Sequence, residues 1–111
     1  MQKLFSYGTL QLEKVQLDTF GRKLTGVDDV LSRYKLDQIK IKDQEVLASS
    51  GVEYHPILKF TGNEKDLIEG VIFEITTEEL EQADEYEAED YKRVLETFKS
   101  GQQAWVYVSA N

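Results

Sequence analysis

The sequence contains no cysteine, and it has only one proline, one histidine and one tryptophan among 111 residues. Without cysteine the chain has no disulfide, no zinc–thiolate or iron–sulfur site and no thiol nucleophile. A reducing, cytoplasmic location fits this composition. No stretch reaches the roughly 18 apolar residues of a membrane-spanning helix, and the N-terminus carries no apolar run of signal-peptide length. We therefore expect an unexported, cytoplasmic protein that does not span a membrane.

Basic residues are scarce relative to acidic ones, with 13 Lys and Arg against 21 Asp and Glu and a formal net charge of −8. A chain of this charge is repelled by phosphate backbones and anionic lipid surfaces. We expect neither nucleic acid nor a membrane as a partner. The hydrophobic fraction of 41% supports one core, and the length is that of one domain, so residues 1–111 are expected to fold as a single domain.

Several familiar catalytic and metal-binding motifs are also missing. The one histidine, His55, precedes Pro56 in an apolar run without a G-x-S-x-G elbow, which disfavours a Ser-His-Asp triad and favours a structural or rim role. The phosphate-binding and calcium-loop patterns do not occur either. A transition-metal site would need mostly carboxylate ligands. We expect no metal site.

The hydrophobic pattern predicts two helices. In the first, over residues 10–20, Leu12, Val15 and Phe20 lie at roughly helical spacing, and Gly21 follows as a stop. The second begins with Thr76 as its N-cap and Glu79 three positions later, which is a capping box, and runs to about residues 84–87.

Short β-rich runs predict six strands around these helices. The first ends at Gly8, which permits a turn that other residues resist, and the last two flank the hairpin signal at residues 100–102. The order is β-α-β-β-β-α-β-β, which favours a mixed or antiparallel α+β fold over a doubly wound parallel sheet. The predicted strands occupy residues 4–7, 30–42, 54–60, 67–75, 91–99 and 103–110.

Two segments have the composition of a functional site. Residues 7–10 (YGTL) join a strand to a helix, and backbone N–H groups converge on anions at such junctions. Residues 84–93 (DEYEAEDYKR) place five carboxylates at the end of the second predicted helix, where the helix dipole disfavours negative charge. An ordinary turn and a solvated acidic segment explain each feature alone. A carboxylate turned inward between Tyr86 and Tyr91 would have a raised pKa suited to proton transfer.

Together these segments resemble the γ-glutamylcyclotransferase-like (AIG2-like) family. The resemblance covers nearly the whole chain, and the pairing of Y-G-T-L with a distant D-x-[aromatic]-E and Y-x-R is more specific than either half. The residues that carry it are LFSYGTL at 4–10, FGR at 20–22, GVIFEI at 70–75, DEYE at 84–87 and YKR at 91–93.

The resemblance implies a fold, an activity and a partner. The fold would be a small mixed β-barrel with flanking helices and an open cavity. The activity would be attack of a γ-glutamyl α-amine on its own γ-carbonyl, which yields 5-oxoproline and a free amine, amino acid or peptide. The partner would be this small-molecule substrate, and no cofactor would be needed. A non-catalytic binding module on the same fold, and an acidic protein that binds a basic protein surface, are the alternatives.

The resemblance also implies roles for individual residues. Glu87 would be the general base and then the general acid, and Ala88 stands where the family often has glycine, which bears on the shape of that turn. Glu85 and Glu89 are neighbouring carboxylates with the same chemistry. The remaining expected site residues are Tyr7, Gly8, Thr9 and Leu10 in the substrate-binding loop, and Tyr86, Tyr91 and Arg93 around the pocket. The leaving group and the oligomeric state are not encoded in any pattern that we recognise.

Overall fold

The computed structural model describes residues 1–40, 54–86 and 90–110. In these ranges the chain forms seven strands, two α-helices and one 3-10 turn over Thr9–Gln11. Both helices are far shorter than a lipid bilayer is thick. The elements, in chain order, are β1 (Gln2–Ser6), α1 (Glu13–Phe20), β2 (Gly26–Ser32), β3 (Tyr34–Lys40), β4 (Tyr54–Phe60), β5 (Leu67–Ile75), α2 (Thr77–Tyr86), β6 (Tyr91–Thr97) and β7 (Gln103–Ser109).

Five of the strands form one sheet in the order β2-β5-β1-β7-β6, and β3 pairs with β4 in a separate two-stranded ladder. Among the described strand pairs, β1–β7 alone is parallel, with Leu4 opposite Trp105 and Phe5 opposite Val106. The α+β class predicted from the sequence is confirmed. Among the described strands, however, the sheet is not closed into the small barrel that the family resemblance implied, because β3 and β4 pair with each other instead of completing it.

The sheet has a hydrophobic core on each face. On one face Leu4 packs with residues of both helices, including Val15 and Leu80. On the other face Phe5 packs with Tyr34 and Leu58 of the β3–β4 ladder. The strands of the sheet are therefore covered by helices on one side and by a β-ladder on the other. This explains why β5 is apolar at consecutive positions while its alternating residues 71, 73 and 75 share the helix face, as the sequence pattern predicts.

The single strand predicted over residues 30–42 is wrong in its described part, since two strands occupy this region. Arg33 has φ 75° and separates β2, which pairs with β5, from β3, which pairs with β4. Its N–H donates to Asp66 O at 2.9 Å, and its carbonyl accepts the N–H of Thr61 at 2.7 Å and of Gly62 at 3.2 Å. These long-range hydrogen bonds stabilise a left-handed conformation that a non-glycine residue rarely adopts. Residues 41 and 42 lie outside the described ranges.

Both predicted helices are present, but α1 begins at Glu13, three residues later than predicted. The first turn of the predicted helix is the 3-10 turn, and Leu12, expected on the apolar side, is extended (ψ 129°) and 47% exposed. Gly21 ends α1 as expected, with φ 72° and its N–H on Leu17 O at 2.9 Å. Such a left-handed residue at a helix end favours glycine.

The capping box of α2 forms as the sequence predicts. Glu79 N–H donates to Thr76 Oγ1 at 3.0 Å, and Thr76 N–H donates to Glu79 Oε1 at 2.8 Å. The predicted β6–β7 hairpin is also present, with Phe98 N–H on Gln102 O at 2.8 Å and Gly101 at φ 90°. Pro56 lies in β4, for which β3 is the one partner among the described strands, and a residue without an N–H is tolerated at such an edge.

Candidate active site

The two segments singled out from the sequence meet at one end of the five-stranded sheet. Because β1 and β7 run parallel, the residues after β1 lie beside the C-terminal end of β7. Strand β6 runs antiparallel to β7 with Tyr91 opposite Ser109, so β6 begins at the same end. The end of α2 also lies here, since Asp84 is bonded to Tyr107 of β7. This end of the sheet is the candidate site.

The loop at residues 7–10 leaves β1 and enters the 3-10 turn. Gln11 N–H closes the turn on Gly8 O at 3.1 Å, so the N–H groups of Thr9 and Leu10 are at its start, where a helical turn supplies no partner of its own. Tyr7 is half-buried, and its hydroxyl donates to Tyr107 O at 2.6 Å. The Leu10 side chain is 4% exposed in the core beneath the helices. Leu10 therefore anchors the loop with its side chain and faces a ligand only with its backbone.

Gly8 is required for space and not for its dihedral angle. Its φ is not positive, in contrast to the conformational role expected from the sequence. A Cβ at this position would lie 2.9 Å from Pro56 Cγ of β4. The loop therefore packs directly against β4, and a side chain here would displace one of them.

Tyr91 ties the start of β6 to the same strand. Its hydroxyl donates to Pro56 O at 2.7 Å, and the side chain is partly buried. The preceding residue, Asp90, accepts the N–H of Ala110 at 2.9 Å through its carbonyl. The chain on the C-terminal side of residues 87–89 is thus held against both β4 and the end of β7.

Arg93 and Asp84 form an ion pair on the other side of the same segment. Arg93 Nε lies 3.0 Å from Asp84 Oδ1, and the guanidinium lies 4.5 Å from the centroid of the Trp105 ring. Tyr107 donates its hydroxyl to the same Asp84 oxygen at 2.7 Å. The carboxylate near the end of α2 is therefore held by two donors from adjacent strands, and the stacked guanidinium is oriented by a cation–π contact.

The family assignment follows from sequence comparison together with this architecture. The sequence pattern of the family described as γ-glutamyl cyclotransferase, AIG2-like, matches residues 4–111. The chain belongs to this family. Among curated proteins, none is significantly similar to this chain.

Solved structures share the fold at low sequence identity. An Arabidopsis thaliana protein determined in solution has a TM-score of 0.71 and 22% identity over 99% of this chain and 62% of its own. An uncharacterised protein from Pyrococcus horikoshii has a TM-score of 0.67 and 19% identity over 100% and 80% of the two chains. A protein named γ-glutamyl cyclotransferase has a TM-score of 0.69 and 18% identity over 99% and 67%. This chain thus spans less than two thirds of the length of the Arabidopsis protein.

Several of the expected site residues lie at the same end of the sheet. They are Tyr7, Gly8, Tyr91 and Arg93, together with the backbone of Thr9 and Leu10. Tyr86 is the last residue of α2. Glu87, Ala88 and Glu89 lie outside the described residues, as do residues 43–51 between the predicted strands 30–42 and 54–60. Glu85 is on α2 and exposed.

Two residues that we did not single out from the sequence belong to this site. Tyr107 bridges the loop and α2, and Pro56 contacts both Gly8 and Tyr91. Nothing near Tyr107 in the sequence distinguishes it from any other aromatic residue of a core strand. A proline within a strand indicates an edge position and no contact with a particular residue. Both roles depend on contacts between residues far apart in the chain.

A cavity of about 630 Å³ lies beside this end of the sheet. It joins the site through Gln11, whose side chain donates to Ser6 O at 2.8 Å. Its wall carries the carboxylates of Asp28 and Glu69 and is completed by Asp29, Val30, Gly70 and Val71.

In the described ranges, no group of three or more Asp, Glu or His residues is arranged to hold a metal ion.

Arg22 and Glu79 form an ion pair away from the candidate site. Arg22 donates from Nε and Nη2 to the two oxygens of Glu79, each at 2.7 Å, at the N-terminal end of α2. The guanidinium holds the pKa of the Glu79 carboxyl below its ordinary value, assisted by the N–H of Thr76. Arg22 therefore stabilises the N-terminal end of α2, opposite to the end that lies at the candidate site.

Proposed function

We propose that this protein is a γ-glutamyl cyclotransferase that converts a γ-glutamyl amide into 5-oxoproline and a free amine, amino acid or peptide. Membership of the family supports this reaction, as does the fold shared with a protein named γ-glutamyl cyclotransferase. The observation on which the proposal chiefly rests is the proximity of the Y-G-T-L loop to the end of α2 that carries Asp84. Tyr107 contacts both, accepting from Tyr7 at 2.6 Å and donating to Asp84 at 2.7 Å.

The proposed chemistry is an intramolecular acyl transfer. The α-amine nitrogen of the substrate attacks the γ-carbonyl carbon, a new C–N bond closes the five-membered ring, and the original amide C–N bond breaks. The attacking nitrogen must lose a proton and the leaving nitrogen must gain one. A single carboxylate satisfies both needs when it acts first as base and then as acid. We assign this role to Glu87, the residue after the last residue of α2.

The loop at residues 7–10 would bind the acyl group. Backbone N–H groups at the start of the 3-10 turn are suited to a substrate carboxylate or to the oxyanion that develops on the γ-carbonyl oxygen. Gly8 allows this backbone to approach both Pro56 and a ligand. Since no external nucleophile is needed, the main task of the site is to hold the substrate in a ring-closing conformation, which can contribute up to about 7–11 kcal/mol.

Tyr86, Tyr91 and Arg93 would line this site in different ways. Tyr91 already donates to Pro56 O, so we propose that its ring forms a wall beside Gly8. Arg93 is paired with Asp84 and is 26% exposed, so we propose that it acts on the end of α2 and not directly on a substrate carboxylate. Tyr86 is adjacent to Glu87 and is proposed as a pocket residue on that ground alone. The proposed reaction uses a small-molecule substrate and no cofactor.

The proposal is tested by supplying γ-glutamyl peptides, γ-glutamyl amino acids, γ-glutamyl amines and γ-glutamyl-ε-lysine, and quantifying 5-oxoproline and the released amine together. Cyclisation predicts that the two products form in equal amounts. Release of the amine with free glutamate would instead indicate hydrolysis. Absence of turnover with every compound, together with saturable binding of one of them, would favour the non-catalytic binding module.

A further inference from the structure

Tyr107 is hydrogen-bonded to both the substrate-loop segment and the end of α2. Its carbonyl accepts the Tyr7 hydroxyl at 2.6 Å, and its own hydroxyl donates to Asp84 Oδ1 at 2.7 Å. Tyr107 is 6% exposed and lies on β7, which forms the parallel pair at the centre of the sheet. These contacts join the loop and the helix end through one buried residue of the sheet.

Besides the Tyr107 hydroxyl, the Asp84 carboxylate has a second donor, the side chain of Arg93. Arg93 Nε approaches the same Oδ1 atom at 3.0 Å and is itself oriented by the Trp105 ring. The carboxylate thus receives a charged donor from β6 and a neutral donor from β7. Two donors on one oxygen restrict both the rotation of the side chain and the position of the last turn of α2.

We infer that Tyr107 is a positioning residue that sets the end of α2 relative to the Y-G-T-L loop, acting through Asp84. This inference rests on the proposed function, in which Glu87 follows α2 directly and the loop holds the substrate. Asp84 is three residues before Glu87 in the chain, so a displaced helix end moves the point from which Glu87 extends. Small displacements of this kind lower the rate of reaction more than they lower affinity.

The test is Tyr107→Phe, which removes the hydroxyl and keeps both the ring and the carbonyl that Tyr7 contacts. We expect kcat for 5-oxoproline release to fall about ten- to a hundredfold, with KM changed less than about threefold. Tyr34→Phe is the matched control. It removes another buried tyrosine hydroxyl that donates to a carboxylate, Glu96 Oε2 at 2.6 Å, on the face covered by the β-ladder. A similar loss of thermal stability without a loss of kcat is expected there.

A double-mutant cycle tests the route through Asp84. If Tyr107 acts through this side chain, Tyr107→Phe combined with Asp84→Ala, which leaves no acceptor for the hydroxyl, is no slower than Asp84→Ala alone. Additive losses in kcat would overturn the inference, and so would a kcat for Tyr107→Phe within about twofold of the unaltered protein.

Amide hydrogen exchange separates this inference from the proposed function. In Tyr107→Phe, the amides of residues 83–86 are expected to exchange at least about tenfold faster, while those of the Thr76–Glu79 capping box keep their rates. If the unaltered protein releases no 5-oxoproline, the proposed function fails and the exchange data still decide the coupling. Unchanged exchange at residues 83–86 would overturn the inference whether or not the protein is an enzyme.

Discussion

Gly8 shows how a single hydrogen atom in place of a side chain shapes the candidate site. A Cβ would meet Pro56 Cγ at 2.9 Å, closer than ordinary van der Waals contact. Either the loop or β4 would have to shift, and Tyr91 would follow through its bond to Pro56 O. The sequence indicated the importance of this glycine, but it assigned the reason to backbone freedom, because the approach of β4 depends on tertiary packing.

We predict that Gly8→Ala lowers kcat/KM for 5-oxoproline release by at least about tenfold, because the backbone that receives the substrate is displaced. Its expected loss of stability is about 1 kcal/mol. Gly101→Ala is the stability control, since Gly101 has φ 90° in a turn at the opposite end of β7 and open space around it, so the strain costs about 1 kcal/mol as well. Equal kcat/KM values for the two variants would contradict the role of Gly8.

At the scale of elements, neighbouring residues determine where α2 begins, whereas contacts with other strands hold its C-terminal end. Thr76 and Glu79 form the capping box that their spacing predicts. The C-terminal end carries carboxylates where the dipole disfavours them, and its position depends on Arg93 and Tyr107 from strands that follow it. The same distinction explains the break at Arg33, which no glycine or proline marks and which is stabilised by Thr61, Gly62 and Asp66.

The Glu79 carboxyl gives α2 a measurable pH dependence. Its pKa is lowered in the folded state, chiefly by the hydrogen bond from Arg22, so its contribution to stability is present above the unfolded pKa and is lost as pH falls through the folded pKa. We predict that Glu79→Gln lowers the free energy of unfolding by about 1 kcal/mol near pH 7. The difference from the unaltered protein should be constant down to about pH 5 and shrink as pH falls below about 4.3, the ordinary pKa of a glutamate.

Urea unfolding at several pH values measures this difference. Glu81→Gln on the exposed middle of the same helix is the control and should change stability little at any pH. A loss for Glu79→Gln that persists unchanged at the acid end would show that the carboxylate charge is not what stabilises the helix start.

At the scale of the whole molecule, the two edge strands of the sheet approach each other at one point. The turn after β6 reaches the edge of β2, where Lys99 N–H donates to Val30 O at 3.0 Å. Buried Asp29 accepts the hydroxyl of Ser100, its N–H at 3.3 Å, and the N–H of Val30 at 2.8 Å. Burial raises the pKa of Asp29, but these hydrogen bonds together lower it below its ordinary value.

The contact between Asp29 and Ser100 shows which parts of the architecture the sequence could predict and which it could not. Periodicity identified strands, helices, the capping box and the hairpin because each depends on neighbouring residues. The approach of the two sheet edges depends on Asp29 and Ser100, which are far apart in the chain and carry no local signal. The site was predictable where the family pattern names residues, such as Gly8, and not where it depends on a core residue, such as Tyr107.

Asp29→Ala removes the hydrogen bonds that join residue 29 of β2 to Ser100 in the turn after β6. We predict a loss of about 2 kcal/mol in the free energy of unfolding, since a buried carboxylate with three donors is removed. Asp28→Ala, the exposed neighbour on the same strand, should change stability by less than about 0.5 kcal/mol. Thermal and denaturant unfolding of both variants measure this, and equal stability of the two would contradict the account of the edge contact.

The most direct test of the proposed function compares 5-oxoproline release by the unaltered protein, Glu87→Gln and Glu85→Gln, on the best γ-glutamyl substrate, after circular dichroism shows that both variants are folded. Glu85 lies on the exposed end of α2, two positions before Glu87, and is the matched carboxylate. We predict that Glu87→Gln lowers kcat by about 10²–10⁴-fold and that Glu85→Gln remains within about twofold of the unaltered protein. Full turnover by folded Glu87→Gln would contradict the assignment of this carboxylate as the acid–base group.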